Sequence, residues 1–177
     1  RTFPTRGKTL KPKIIGFIPA RMGASRFPGK PMALINGFPM VGHVYRQALK
    51  SKSLDELYVA TCDQVIFDFI TGIGGKACMT SDKHTRATDR CAECLEIMEK
   101  KNNYKADIVV MIQGDEPMIV PEMIDDALKP LLSESAQVSN LCAALYEQQD
   151  VDDPNEIKVV MAKNGDALYF SRRPSPH

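Results

Sequence analysis

Residues 13–31 read KIIGFIPARMGASRFPGKP, and the change of character at residue 20 decides the fold. The first part is a short isoleucine-rich run, the pattern of a strand buried on both faces of a sheet. The second part, RMGASRFPGKP (21–31), packs two glycines, two arginines, a lysine and two prolines into eleven positions. A chain that leaves a buried strand through so much positive charge and backbone freedom is made either for a phosphate-rich ligand or for solvent.

Outward from this point, apolar runs alternate with helical patterns. Apolar residues at helical spacing predict a helix over 39–51, then a strand over 56–62. A helix over 64–73 closes at Gly74-Gly75, followed by a brief strand over 76–80 and a helix over 89–101. DIVVMIQ (107–113) reads as the most strongly buried strand of the chain, and a helix over 120–135 carries Pro121 in its first turn. Strands and helices in this order form parallel strands joined by right-handed crossovers. The expected fold is therefore α/β, with a doubly wound, mostly parallel sheet. VSNLCAALYE (138–147) reads as a further strand, and Asn164-Gly165 between two apolar runs signals an antiparallel hairpin over 157–172. Residues 1–12 read as a flexible basic tail and 13–177 as one domain. An apolar strand directly before RRPSPH leads us to expect a C-terminally incomplete domain, finished by further sequence or a partner chain.

The formal net charge of +1 over 177 residues excludes a general nucleic-acid binder, which needs a basic excess. No apolar stretch approaches the ~20 residues of a bilayer span, and the first residues lack the apolar core of a secretory signal. Five cysteines (Cys62, Cys78, Cys91, Cys94, Cys142) lie in apolar runs and read as buried, reduced thiols, which fits the cytoplasm. Cys91 and Cys94 form a CxxC without a second ligand pair, on an amphipathic helix.

Ligands of open α/β sheets bind beyond the carboxyl ends of the strands. There Gly23 and Gly29 allow amides to approach a phosphate, while Arg21, Arg26 and Lys30 supply cations. The loop is not a Walker A motif: five residues separate Gly23 from Gly29, and Pro31 stands where a Ser or Thr would hold magnesium. It is not GxGxxG either, and on composition alone a solvated basic turn is the simpler reading. A second signal is QGDEP (113–117), at the end of the strand over 107–113. Asp115 there suits magnesium, a hard cation that needs only one or two protein oxygens; equally, an acid before a helix is favoured by the helix dipole. His43 reads as structural, His84 as a residue beside the pocket, and 148–156 as a solvated acidic loop.

PARMGASRFPGKPMALINGFPM (19–40), QGDEPMI (113–119) and ALYFSR (167–172), in this order, resemble the sugar nucleotidyltransferases. More narrowly, they resemble the 3-deoxy-manno-octulosonate (Kdo) cytidylyltransferases. The resemblance implies a Rossmann-like nucleotidyltransferase fold and a magnesium-dependent reaction. CTP and a Kdo-type sugar acid would give the CMP-sugar and pyrophosphate, in a cytoplasmic homodimer serving lipopolysaccharide biosynthesis. Residue by residue, it implies that Arg21, Arg26 and Lys30 contact the triphosphate and that Pro19 and Ala20 line the cytosine pocket. Gln113 would contact the nucleotide, Arg90 would lie near the base, and Asp115 would hold magnesium. By the same resemblance, Arg21, Lys30 and Asp115 would form the catalytic set. In KHTRATDR (83–90) the family's Ser-Gly is replaced by Arg86-Ala87, so Arg86 is either a phosphate or sugar contact or a surface charge. The alternatives are a nucleotidyltransferase for another nonulosonate or nucleotide, or a non-catalytic nucleotide-binding or dimerisation module.

Overall fold

The computed structural model describes residues 11–23 and 27–174. The chain divides into two compact units, Arg1–Ser139 and Asn140–His177. The larger runs β1 (Ile14–Ala20), a 3-10 turn (Lys30–Met32), β2 (Leu34–Ile35), β3 (Phe38–Pro39), α1 (Met40–Ala48) and β4 (Glu56–Thr61). It continues through α2 (Gln64–Gly72), β5 (Ala77–Met79), α3 (Ala87–Asn102), β6 (Ile108–Met111) and α4 (Pro121–Leu132). The smaller holds α5 (Gln148–Asp152), β7 (Lys158–Met161) and β8 (Ala167–Ser171).

The main sheet has the order β5-β4-β1-β6, and every pairing in it is parallel. β1 is its anchor. Ile14, Ile15, Phe17 and Ile18 are all buried to within 1%, each contributing about 1.5–3 kcal/mol of burial free energy. The period-two alternation of a strand splits them between two layers. Ile14 and Ile18 face α1, α2 and α4 through Val41, Val44, Ile66, Ile70, Ile124 and Leu128. Ile15 and Phe17 face α3 through Cys91, Cys94 and Met98. The sheet is therefore doubly wound. α1 and α2 carry the chain outward from β1 to β4 and β5 on one face. α3 then returns on the other face and sets β6 against the far side of β1. The winding reverses between β1 and β6, and at such a point a ligand crevice opens.

Proline helps to open it. The Phe17 carbonyl accepts the Ile112 N–H at 2.8 Å, so residue 19, two positions on, turns its backbone toward the same neighbour. Pro19 has no N–H with which to extend that ladder, and the last β1–β6 pair is Phe17 with Met111. Gly114 then crosses beside Pro19, where a β-carbon would lie 2.6 Å from the Pro19 carbonyl oxygen.

Other expectations meet the structure unevenly. α2 ends as predicted: Gly74 takes φ +79° and Gly75 donates its N–H to the Ile70 carbonyl at 2.8 Å. β6 is shorter than 107–113 and is not the most buried strand, since Val109 is 44% and Met111 39% exposed. It is the edge of the sheet, and α3 lies over β1, β4 and β5 rather than over it. The strand predicted over 138–147 is absent. Those residues carry no regular structure before α5, and Val138 and Tyr146 are almost fully exposed. Strand propensity is realised only against a pairing partner. The acidic run also contains a helical turn, α5, rather than loop alone. The C-terminal hairpin is present: β7 and β8 pair antiparallel, with Gly165 at φ +90° in the turn. In that unit Lys158 is buried and donates to the backbone carbonyls of Asp153, Glu156 and Arg172. Among the cysteines, Cys78, Cys91 and Cys94 are buried, Cys62 is half-buried and Cys142 is exposed, contrary to the expectation of five buried thiols. Cys142 lies in the segment that forms no strand.

Candidate active site

Because the four strands are parallel, their carboxyl ends share one rim, and the segments leaving β1, β5 and β6 line one cavity of about 230 Å³ there. The end of β1 brings Pro19, Ala20 and Arg21, and the 3-10 turn brings Lys30 and Pro31. The segment after β5 and the start of α3 bring His84 to Ala87 and Arg90, and the end of β6 brings Gln113, Gly114 and Asp115. Of the eight site residues read from the sequence, seven line this cavity; Arg26 lies outside the described residues.

Lys30 Nζ donates to Asp115 Oδ2 at 2.8 Å, joining the glycine-rich loop to the QGDEP turn. Both side chains are open to solvent, so a ligand can reach either. Gly29, at φ +76°, donates its N–H to the Met22 carbonyl at 2.9 Å and folds the loop back on itself. Asp63 fixes the loop's other end: its Oδ2 accepts the Met22 N–H at 2.8 Å. No sequence argument selected Asp63; an acid directly before α2 reads as an ordinary helix-start residue.

The opposite wall is held differently. Arg90 is 2% exposed. Its Nη1 donates to Thr80 Oγ1 at 2.6 Å and to the Ser81 carbonyl at 3.2 Å, and its Nη2 to the His84 carbonyl at 3.3 Å. Glu93, one turn on, accepts the Ser81 N–H at 2.8 Å and the His84 Nε2 at 2.6 Å. These bonds hold its carboxyl below the ordinary range, the Ser81 N–H first and the His84 ring after it. Arg86 stands exposed at the start of α3 and lines the cavity. His43 is structural, donating to the Ile35 carbonyl at 2.9 Å and packing edge-on against Phe38.

Magnesium demands oxygen donors and keeps several of its own waters. Asp115 offers such a donor at the cavity mouth and fits the ion. Among the described residues no group of three or more His, Cys, Asp or Glu side chains converges on one point.

A switch-point cavity rimmed by cations and close-packed backbone defines an α/β protein with a cleft suited to an anionic ligand. The chain belongs to the cytidylyltransferase family, whose model matches residues 15–177. A 3-deoxy-manno-octulosonate cytidylyltransferase of Thermodesulfovibrio yellowstonii is 45% identical over 161 residues, covering 90% of this chain and 63% of the relative. The mitochondrial enzyme of the same name from Arabidopsis thaliana is 39% identical over 177 residues, 60% of its own length. Among solved structures, a CMP:2-keto-3-deoxy-manno-octonic acid synthetase complexed with CTP superimposes with a TM-score of 0.83 at 42% identity. That match covers 93% of this chain and 66% of the other. The chain thus spans a little under two thirds of the length of these relatives, and its sheet is the Rossmann-like nucleotidyltransferase fold.

Proposed function

We propose that this chain provides the nucleotide-activating part of a cytidylyltransferase that couples CTP to a Kdo-type sugar acid, giving the CMP-sugar and pyrophosphate. The observation that carries the reading is the Lys30–Asp115 contact at the switch point of a chain belonging to the cytidylyltransferase family. The names of the relatives support Kdo as the sugar acid.

In this reaction an anomeric hydroxyl oxygen forms a bond to the α-phosphorus and gives its proton to water, the bond from that phosphorus to the bridging oxygen breaks, and pyrophosphate leaves with the electron pair. Charge accumulates on the leaving group, so cations must already be in place. Lys30 and Arg21, with Arg26 from the same loop, neutralise the triphosphate, and the close backbone at Pro19, Ala20, Gln113 and Gly114 packs against the nucleoside. Asp115 would hold magnesium, which when bound withdraws charge from the phosphate oxygens. Arg90 shapes the wall that faces the base. Lys30 leaves Asp115 for the phosphates as the nucleotide enters, so the pair serves as a preformed placeholder. The five free thiols support a reducing compartment such as the cytoplasm, and no helix among the described residues is long and apolar enough to cross a membrane. A homodimer and a place in lipopolysaccharide biosynthesis follow from the same family reading.

The test is pyrophosphate release with CTP, UTP, GTP or ATP against Kdo and related nonulosonates in the presence of magnesium. Release confined to CTP with Kdo is expected. Equal release with every nucleotide overturns the base assignment, and preference for another nonulosonate overturns the sugar. Protection by CTP against thermal unfolding with no release for any acceptor reduces the chain to a nucleotide-binding module.

A further inference from the structure

Arg90 and Glu93 sit three residues apart on α3, and residues at that spacing share one helix face. Both are directed at the single segment that forms the second wall of the cavity. Between them they make five hydrogen bonds to residues 80–84: three from the Arg90 guanidinium and two to the Glu93 carboxylate. The segment has no strand pairing of its own beyond Thr80, whose N–H donates to the Thr61 carbonyl at 2.8 Å. Lys83 N–H to Ser81 Oγ, at 3.2 Å, is internal to it. The helix therefore supplies the order that the loop lacks. The opposite charges of the two side chains let each satisfy what the other cannot: the guanidinium takes the carbonyls, and the carboxylate takes an amide and an imidazole N–H.

We infer that Glu93 is a positioning residue for the nucleotide site, acting with Arg90 through Ser81 and His84 to fix the wall formed by His84, Thr85, Arg86 and Ala87. The inference rests on the reading of this cavity as the CTP site. Glu93 does not line the cavity, so its effect on a ligand passes wholly through the loop. The wall is preformed, which removes the cost of ordering it on binding. His84 becomes a strut of that wall rather than a ligand of its own.

The experiment uses the full chain and two readouts. In hydrogen–deuterium exchange, Glu93→Ala is expected to speed exchange of the Ser81 to Ala87 amides by about tenfold or more, while the β1 and β4 amides keep their protection. In calorimetric titration with CTP, Glu93→Ala is expected to weaken binding about tenfold. Glu93→Gln keeps an oxygen for the Ser81 N–H and should recover most of that loss. A variant that is folded by its β1 and β4 protection yet shows unchanged exchange over 81–87 overturns the inference. So does weakened binding that Glu93→Gln fails to recover. Should the unaltered chain not bind CTP at all, the reading of the site fails, and the exchange comparison still decides the role of Glu93. If Glu93→Ala does not fold, His84→Ala removes the same contact from the loop side, and the same exchange comparison applies to it.

Discussion

The backbone of Gly114 passes so close to Pro19 that a β-carbon at residue 114 would stand 2.6 Å from the Pro19 carbonyl oxygen. A flexible side chain could move away from such a contact, but a backbone carbonyl in a central strand cannot. Gly114→Ala is therefore expected to cost about 1–3 kcal/mol by overpacking and to separate Asp115 from Lys30. Urea unfolding and CTP titration check the two effects. Gly72→Ala is the control: nothing lies within 4 Å of a β-carbon there, and in the last turn of α2 it should stabilise by about 0.5–1 kcal/mol.

The Lys30–Asp115 pair is exposed on both sides, with side chains 37% and 50% accessible. Pairs of that kind contribute only ~0–1 kcal/mol to folding. Lys30→Met and Asp115→Asn should thus unfold close to the unaltered temperature while losing pyrophosphate release. A large fall in melting temperature would reveal a structural pair instead.

Asp63 ties the exit of β4 to the exit of β1 through the Met22 N–H at 2.8 Å. Asp63→Ala leaves that partly buried amide without its acceptor, a loss of about 1–2 kcal/mol. Asp63→Asn retains an oxygen and should recover most of it. Chemical denaturation distinguishes the two variants, and CTP affinity should follow the same order.

Glu56 predicts the acid limb of stability. Burial alone would raise its pKa, but hydrogen bonds from Tyr58, Lys13 and Lys76 overcome this and depress it from 4.5 to about 2. The folded state keeps this carboxylate charged where the unfolded chain binds a proton. Its contribution, on the order of 2 kcal/mol, is present in full above pH 4.5 and disappears as pH falls toward 2. Glu56→Gln should flatten the loss of stability between those values, as read from unfolding curves at stepped pH.

Thiol accessibility should separate the five cysteines. Cys142 is exposed and should react first with a thiol-specific reagent, with half-buried Cys62 slower. Cys78, Cys91 and Cys94 should react only on unfolding; burial pushes the Cys91 thiol up to about 11. Mass spectrometry before and after denaturant gives the count.

Much of the larger unit was legible because its signals are local. The alternation of apolar runs with helical spacing located β1, β4, α2 and α3 to within a few residues, and parallel strand order alone placed Arg21 and Asp115 on one rim. Burial at the sheet's edge was not legible, since DIVVMIQ looks the same whether one face or both are covered. Asn36-Gly37, with both residues at positive φ, forms the tight turn between β2 and β3. It carries the same dipeptide as 164–165, but flanking strands of only two residues each are too short to show the alternation that marks a hairpin. Asp63 and Glu93 escaped because each acts on backbone groups of another segment, a relation with no spacing in the sequence. Arg90 was placed near the base by resemblance; its engagement with Thr80, Ser81 and His84 came only from the fold.

The two banks of the crevice hang from different layers of the molecule. Lys30 and its glycine-rich turn lie on the side of α1, whereas residues 80–87 are moored to α3 beneath the sheet. Substitution in one bank need not disturb the other. The α3 bank can therefore vary in what it presents to a ligand while the Lys30 bank stays as it is. Arg86, exposed at the start of α3, belongs to that bank.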